Sequence, residues 1–215
     1  MSLKINFVIA LIAVLFICLI FSSCEKKQQK QVSYAVSPDS ALKIDKAILA
    51  VYAQRILGPK IKIFDYGIYQ ADSSRGLVVG KNITGDSLWG MKFYYFKLVK
   101  NEPQLIYETP LLKGSFNESL VRRIKMINYT YEMIYYDSQD YFMGSGGGEI
   151  FTYIIDLNNR AIYSAHFFTI PDKPVSLYLS DNIKPEIKEF LVKHFQRDYP
   201  NLHIVSNDID LEKAL

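Results

Sequence analysis

The chain's most suggestive run for chemistry is Gly144-Ser145-Gly146-Gly147-Gly148, with the carboxylates Asp137, Asp140 and Glu149 around it. A glycine-rich loop can cradle phosphate when it opens a helix whose N-terminus carries the partial positive charge. Here Glu149-Ile150-Phe151-Thr152-Tyr153-Ile154 follows, which is a strand pattern, and there is no Gly-Lys-Ser or Gly-Lys-Thr. Ser145 also misses the nucleophile elbow, because Met143 stands where the first glycine belongs. Gly144, Ser145, Gly146, Gly147 and Gly148 are therefore expected to form a hairpin or binding loop. Two facing carboxylates are the machinery of glycoside hydrolysis, so the flanking acids define a competing expectation: an envelope hydrolase.

Metal chemistry finds little support. His166, His194 and His203 lie far apart, with no His-Glu-x-x-His spacing. His166 shares a strand face with Ile162, Ser164 and Phe168 and reads as a half-buried side chain. Asp208-Ile209-Asp210-Leu211-Glu212 lacks the glycine and oxygen spacing of a calcium loop and reads as a solvated tail. No metal site, catalytic residue or cofactor is expected. The remaining bias is aromatic: 16 Tyr and 13 Phe against one Trp. Phe93-Tyr94-Tyr95-Phe96 and Tyr131 to Tyr136 put rings on both faces of strands. Such residues serve packing and cross-strand pairing, and a minority are candidate contacts.

These residues must be positioned by elements the pattern itself announces. Ser37 to Leu57 is expected to be a helix, with Ser37 as cap, Pro38 in the first turn and Gly58-Pro59 as the stop. Ile44, Ile48 and Val51, with Leu42 or Ala41 and Leu57 or Tyr52, recur at helical spacing and mark its expected apolar face. Strand patterns follow at Lys60 to Tyr69, Gly76 to Ile83, Ser87 to Lys100 and Gln104 to Glu108, separated by turn residues. Connections this short favour antiparallel pairing. Asn117 to Ile127 fits a short helix, and Tyr129 to Asp137 is strand-like. Ile150 to Asp156 and Ala161 to Phe168 flank Leu157-Asn158-Asn159-Arg160, a hairpin signature. Val175 to Leu179 is another strand. Ile183 to Asp198 reads as a helix with Ile187, Phe190, Leu191 and Phe195 on one face, and Leu202 to Val205 as a final strand. The expected class is α+β: a mostly antiparallel β-sheet with an N-terminal and a C-terminal helix packed on one face.

The N-terminus carries a different kind of chemistry. Lys4 is followed by an apolar run of 17 residues, Ile5 to Phe21, broken by Asn6, and then by Ser22, Ser23 and Cys24. A charged start, an apolar middle and a small-residue cut site define an export signal. Phe21-Ser22-Ser23-Cys24 resembles the lipobox of bacterial lipoproteins. Phe21 replaces the usual Leu, as in the form common in Bacteroidota. The resemblance covers the first 24 residues. It implies that the Cys24 thiol receives a diacylglycerol, that residues 1–23 are removed, and that the new amine is acylated. The alternative is an uncleaved membrane anchor, since the run is at the short end of the ~17–25 residues needed to span a bilayer. Both readings put the domain outside the cytoplasm.

Cysteine and charge follow from this. The chain has two cysteines, and Cys18 lies within the signal, so a processed chain keeps only Cys24 and no disulfide is expected. The formal charge of +3 comes from the N-terminus, and from Val32 onward 21 basic residues meet 21 acidic ones. A neutral domain offers no footprint for nucleic acid. Residues 24–36, with Glu25-Lys26-Lys27-Gln28-Gln29-Lys30-Gln31, read as a lipid-anchored flexible tether whose lysines favour anionic headgroups. Residues 37–215 read as one domain. An acidic run resembling a surface-export signal is absent after Cys24, so the expected location is the envelope, facing the periplasm. The expected function is a non-enzymatic binding module of inhibitor, immunity or assembly-accessory type, with an envelope protein as its partner.

Overall fold

Side chains alternate between the faces of a strand, so a run such as Phe93-Tyr94-Tyr95-Phe96 can bury every ring only if a layer covers each face. All four are buried, and so are Met133 to Tyr136. The computed structural model describes residues 38–85, 89–114, 121–138, 141–143, 147–171 and 173–205, and it supplies those layers. The elements are α1 (Pro38–Leu57), β1 (Lys62–Ile68), β2 (Arg75–Thr84), β3 (Trp89–Val99), β4 (Glu102–Glu108), β5 (Val121–Ile124), β6 (Met133–Asp137), β7 (Tyr141–Met143), β8 (Gly147–Asp156), β9 (Ala161–Thr169), β10 (Ser176–Leu179), α2 (Pro185–Gln196) and β11 (His203–Val205).

The class is α+β and mostly β, as expected, but the strands form two sheets. The first is the antiparallel meander β1-β2-β3-β4. The second runs β11-β10-β9-β8-β6-β5, with β7 paired to β8 beside that path. Every pairing is antiparallel except β10 with β11. That parallel pair is joined through α2, which supplies the crossover such a connection requires.

The helices sit on the outer faces of different sheets, not on one face of a single sheet. Leu49 and Ala53 of α1 pack on Leu77, Val79, Tyr94 and Phe96 of the first sheet. Val78, Met91, Phe93 and Tyr95 point the other way and meet Ile134, Tyr136, Tyr153 and Ile155 of the second sheet. On the far side of the second sheet, Ile187, Leu191 and Phe195 of α2 cover Met133, Tyr135, Ile154, Ala165, Phe167 and Leu177. The layers therefore run α1, first sheet, second sheet, α2.

Two local expectations change. The face of α1 that the apolar spacing marked is the exposed one: Ile44, Ile48 and Val51 point outward, while Leu49 and Ala53 carry the packing. The buried face needs only small and medium side chains because the large rings come from the sheet below. Within Asn117 to Ile127, Val121–Ile124 is a strand, not a helix, and pairs along β6. Val121 and Ile124 at its ends are half-buried, while Arg122 and Arg123 between them are exposed. Residues 115–120 and the proposed cap Ser37 lie outside the described residues. Among the described residues no helix is long and apolar enough to cross a membrane.

Candidate functional site

The inner face of the second sheet is wider than the first sheet that packs on it. The contact between sheets reaches β5, β6, β8 and the start of β9. Farther along, β9, β10 and β11 extend the same face beyond the residues packed between the sheets, and the candidate site lies there.

The β8–β9 hairpin sets it up. The Asp156 carboxylate accepts hydrogen bonds from the backbone N–H groups of Asn158 (3.1 Å) and Asn159 (3.0 Å) and from the Asn159 side chain (2.7 Å). Side-chain acceptors of this kind hold a turn in place of backbone. Arg160 closes the turn with φ of +52°. The register follows: Asp156 faces Ala161, Phe151 faces His166, and Glu149 faces Phe168. Glu149, Phe151, His166 and Phe168 thus share one face, and the pairing of β10 with β9 adds Ser176 and Tyr178 to it.

At the centre, His166 Nε2 lies 2.7 Å from Glu149 Oε2. The imidazole stacks on Phe151 with centroids 4.2 Å apart and planes at 10°. Phe168 and Tyr178 flank it, each with its centroid at 5.9 Å. Lys113 Nζ sits 4.4 Å from the centroid of the Phe151 ring. Beside this cluster a pocket of about 460 Å³ is lined by Phe168, Ile170, Lys173, Pro174, Ser176, Tyr178, Asn201, Leu202 and His203. Its walls mix apolar surface from Phe168, Ile170, Pro174 and Leu202 with the polar groups of Lys173, Ser176, Tyr178, Asn201 and His203.

Burial is the largest influence on His166 and lowers its pKa below the ordinary 6.5; the Glu149 carboxylate acts the other way and does not overcome it. The contact is therefore a neutral imidazole donating Nε2–H to a carboxylate at neutral pH, which leaves Nδ1 as the acceptor. The arrangement can orient a ligand donor against Nδ1 between aromatic walls. The sign of its pH dependence is fixed: the folded chain binds this proton less readily than the unfolded chain. The contribution of this group to stability is full above about 6.5 and is lost as the pH falls through its lower folded-state pKa. His194 is also held below 6.5, chiefly by burial. His166→Gln is thus expected to remove part, not all, of the loss in melting temperature between pH 7.5 and pH 5. An unchanged acid response, or a His166 NMR titration midpoint above 6.5, would contradict this.

Asp137 and Glu149 do not converge. Asp137 pairs opposite Thr152, so it faces α2, whereas Glu149 faces the first sheet's side. Asp137 is buried and accepts from the Tyr135 hydroxyl at 3.3 Å. The same hydroxyl lies 2.9 Å from His194 Nε2 on α2, and the Arg122 guanidinium sits 4.2 Å from the Tyr135 ring centroid. That group fastens α2 to its sheet. Asp140 lies outside the described residues, as do Cys24, Gly144, Ser145 and Gly146. Gly147 and Gly148 open β8 opposite Met143 and Phe142 of β7, so a strand follows the glycines, and Gly148 is next to the Glu149 of the site. The histidines divide: His166 and His203 belong to the site face, and His194 to the opposite face. Among the described residues no three His, Cys, Asp or Glu side chains converge to hold a metal.

Sequence reasoning named Glu149 and His166 separately and missed Phe151, Ser176 and Tyr178 as their neighbours. One signal was available: a four-residue turn at 157–160 already places position 151 opposite 166. Comparison with protein-family models, with curated proteins and with solved structures found no match.

Proposed function

We propose that this chain is a lipid-anchored protein of the cell envelope, attached through Cys24 and facing the periplasm, whose domain is a binding module and not an enzyme. The observation that carries the binding reading is the end of the second sheet beyond the inter-sheet core, where Phe168 and Tyr178 line the 460 Å³ pocket and flank the His166–Phe151 stack. Aromatic rings give large contact area at low entropic cost, and polar tips fix orientation. A polypeptide that inserts an apolar side chain into the pocket and donates to His166 Nδ1 would use each of these groups. The partner is a protein of the envelope, which suits an inhibitor, an immunity protein or an assembly accessory. Asp137 and Glu149 lie on opposite faces of the second sheet, so these two do not form the facing pair that a two-carboxylate hydrolase uses.

The test is immobilisation of the full chain from detergent extracts, with wild type compared against Tyr178→Ala and His166→Ala. Wild type is expected to retain one stoichiometric envelope protein, and each variant to lose about tenfold or more in affinity, as for a central interface residue. Circular dichroism checks that the variants are folded. Equal retention by all three proteins would place the interface elsewhere, and no retained partner would count against the binding reading.

A further inference from the structure

Helix α1 carries two apolar faces, and among the described residues only one is packed. Leu49 and Ala53 are fully buried on the first sheet, while Ile44, Ile48 and Val51 on the opposite side are 53, 41 and 67% exposed. These three recur every three or four residues, so they form one stripe along the helix axis, about 10 Å long at 1.5 Å per residue. Pro103 and Tyr52 extend it sideways, and Arg55 stands at its C-terminal end. Lys43 and Lys46 are exposed near its start.

We infer that this stripe docks lengthwise on the bilayer to which the chain is attached, an inference that rests on the Cys24 anchor proposed above. Three observations favour lipid over other occupants. First, the 14 residues 24–37 separate the proposed anchor from the start of α1 at Pro38. A flexible linker of that length would span roughly 20 Å on average, so such an anchor would keep α1 close to the surface at high effective concentration. Second, the charges of α1 and the tether are mostly basic, with Asp39, Asp45 and Glu25 as the acids among them. Lys43, Lys46 and Arg55 join Lys26, Lys27 and Lys30 of the tether, the set that anionic headgroups attract. Third, three partly covered side chains fall well short of the roughly 800 Å² per partner that a stable protein interface needs. An interfacial helix, in contrast, needs only a narrow apolar face sunk about 5–10 Å into the headgroup boundary.

The layer order gives this docking a consequence. The bilayer would lie against α1, with the first sheet above it and the second sheet above that. The Glu149–His166 face of the second sheet points toward the first sheet's side, so the candidate site would open toward the membrane.

The experiment places a reporter on the stripe of the full chain. Trp89 is the single tryptophan, so Trp89→Phe with Val51→Trp gives one signal. The protein is reconstituted in phosphatidylethanolamine and phosphatidylglycerol vesicles with brominated acyl chains, and acylation is read by lipid labelling. Docking predicts a blue shift and about twofold or greater quenching at position 51. It predicts no quenching for Ile127→Trp in the same background, since Ile127 is fully exposed elsewhere. Adding Ile44→Glu and Ile48→Glu, both at exposed positions, should abolish the quenching. An acylated chain without quenching overturns the docking and leaves the anchor intact. Quenching without acylation supports the docking and overturns the anchor. Absence of both overturns both. A blue shift in detergent that brominated lipid does not quench would mean that another protein surface covers the stripe, and would also overturn the docking.

Discussion

Phe93→Ala is expected to destabilise the domain by about 3–5 kcal/mol, the range for truncating a buried phenylalanine. Phe93 is 1% exposed and lies between the two sheets. Its ring stacks on Phe64 at 5.2 Å and meets the edge of Tyr136 at 5.4 Å, so it links β3 to β1, two strands away in its own sheet, and to β6 across the interface. The void left by truncation could close only if backbone moved. β3 is clamped by β2 on one side and β4 on the other, and β6 is clamped by β5 and β8. The cavity should therefore persist, which is the condition for a cost at the upper end. With total stabilities of about 5–15 kcal/mol, such a loss removes a large share. At about 2–4 °C per kcal/mol for a domain of this size, melting should fall by about 6–20 °C. Urea unfolding gives the energy directly. Ile44→Ala serves as the contrast: that side chain is 53% exposed, and such a surface change is worth about 0.5 kcal/mol or less. A cost below about 1 kcal/mol for Phe93→Ala would mean that the sheets are not packed through this ring.

The same residue shows how far sequence carries the fold. Consecutive aromatics at 93–96 and 131–136 announce strands with both faces covered, and the hairpin at 157–160 is written in its asparagines. Period and turn chemistry are local, so these elements could be read. The division into two sheets could not, because it depends on β4 ending one sheet and β5 beginning another across residues 109–120, where no turn signature states which edge the chain joins next. The parallel pairing of β10 with β11 is likewise a long-range choice, made by where α2 packs. The α1 face was misjudged for a physical reason. Spacing reports that Ile44, Ile48 and Val51 form a stripe, but not whether a protein layer lies beneath it.

The candidate site was legible in its parts but not as a whole. The glycines drew attention to the correct end of β8, yet the carboxylates beside them point to opposite faces, and parity along β6 and β8 decides that. Glu149 and His166 are 17 positions apart and meet only through hairpin register. Tyr178 joins them through strand order. A pair that forms by local register could be found by counting across a turn, whereas a third residue supplied by a neighbouring strand could not.

Cys24→Ala is expected to abolish acyl labelling completely and to leave the precursor uncut, retaining residues 1–23. The proposed reaction begins at the thiol, which alanine lacks, and cleavage follows lipidation, so both steps should fail together. Cys18→Ala is the matched control, because it removes the other sulfhydryl of the chain and should be processed normally. Membrane fractionation would not discriminate. The uncut precursor keeps its 17-residue apolar run and would stay membrane-bound. The label and the mass of the product do discriminate, and normal processing of Cys24→Ala would refute the lipobox assignment. The folded domain should be indifferent to the change. A processed chain has no second cysteine with which to form a disulfide, so its melting temperature should match that of wild type. Attachment and folding thereby separate cleanly. In the proposed form, two or more acyl chains, at about 0.8 kcal/mol per buried CH₂, would hold the protein at the membrane, while core packing such as that of Phe93 holds its shape.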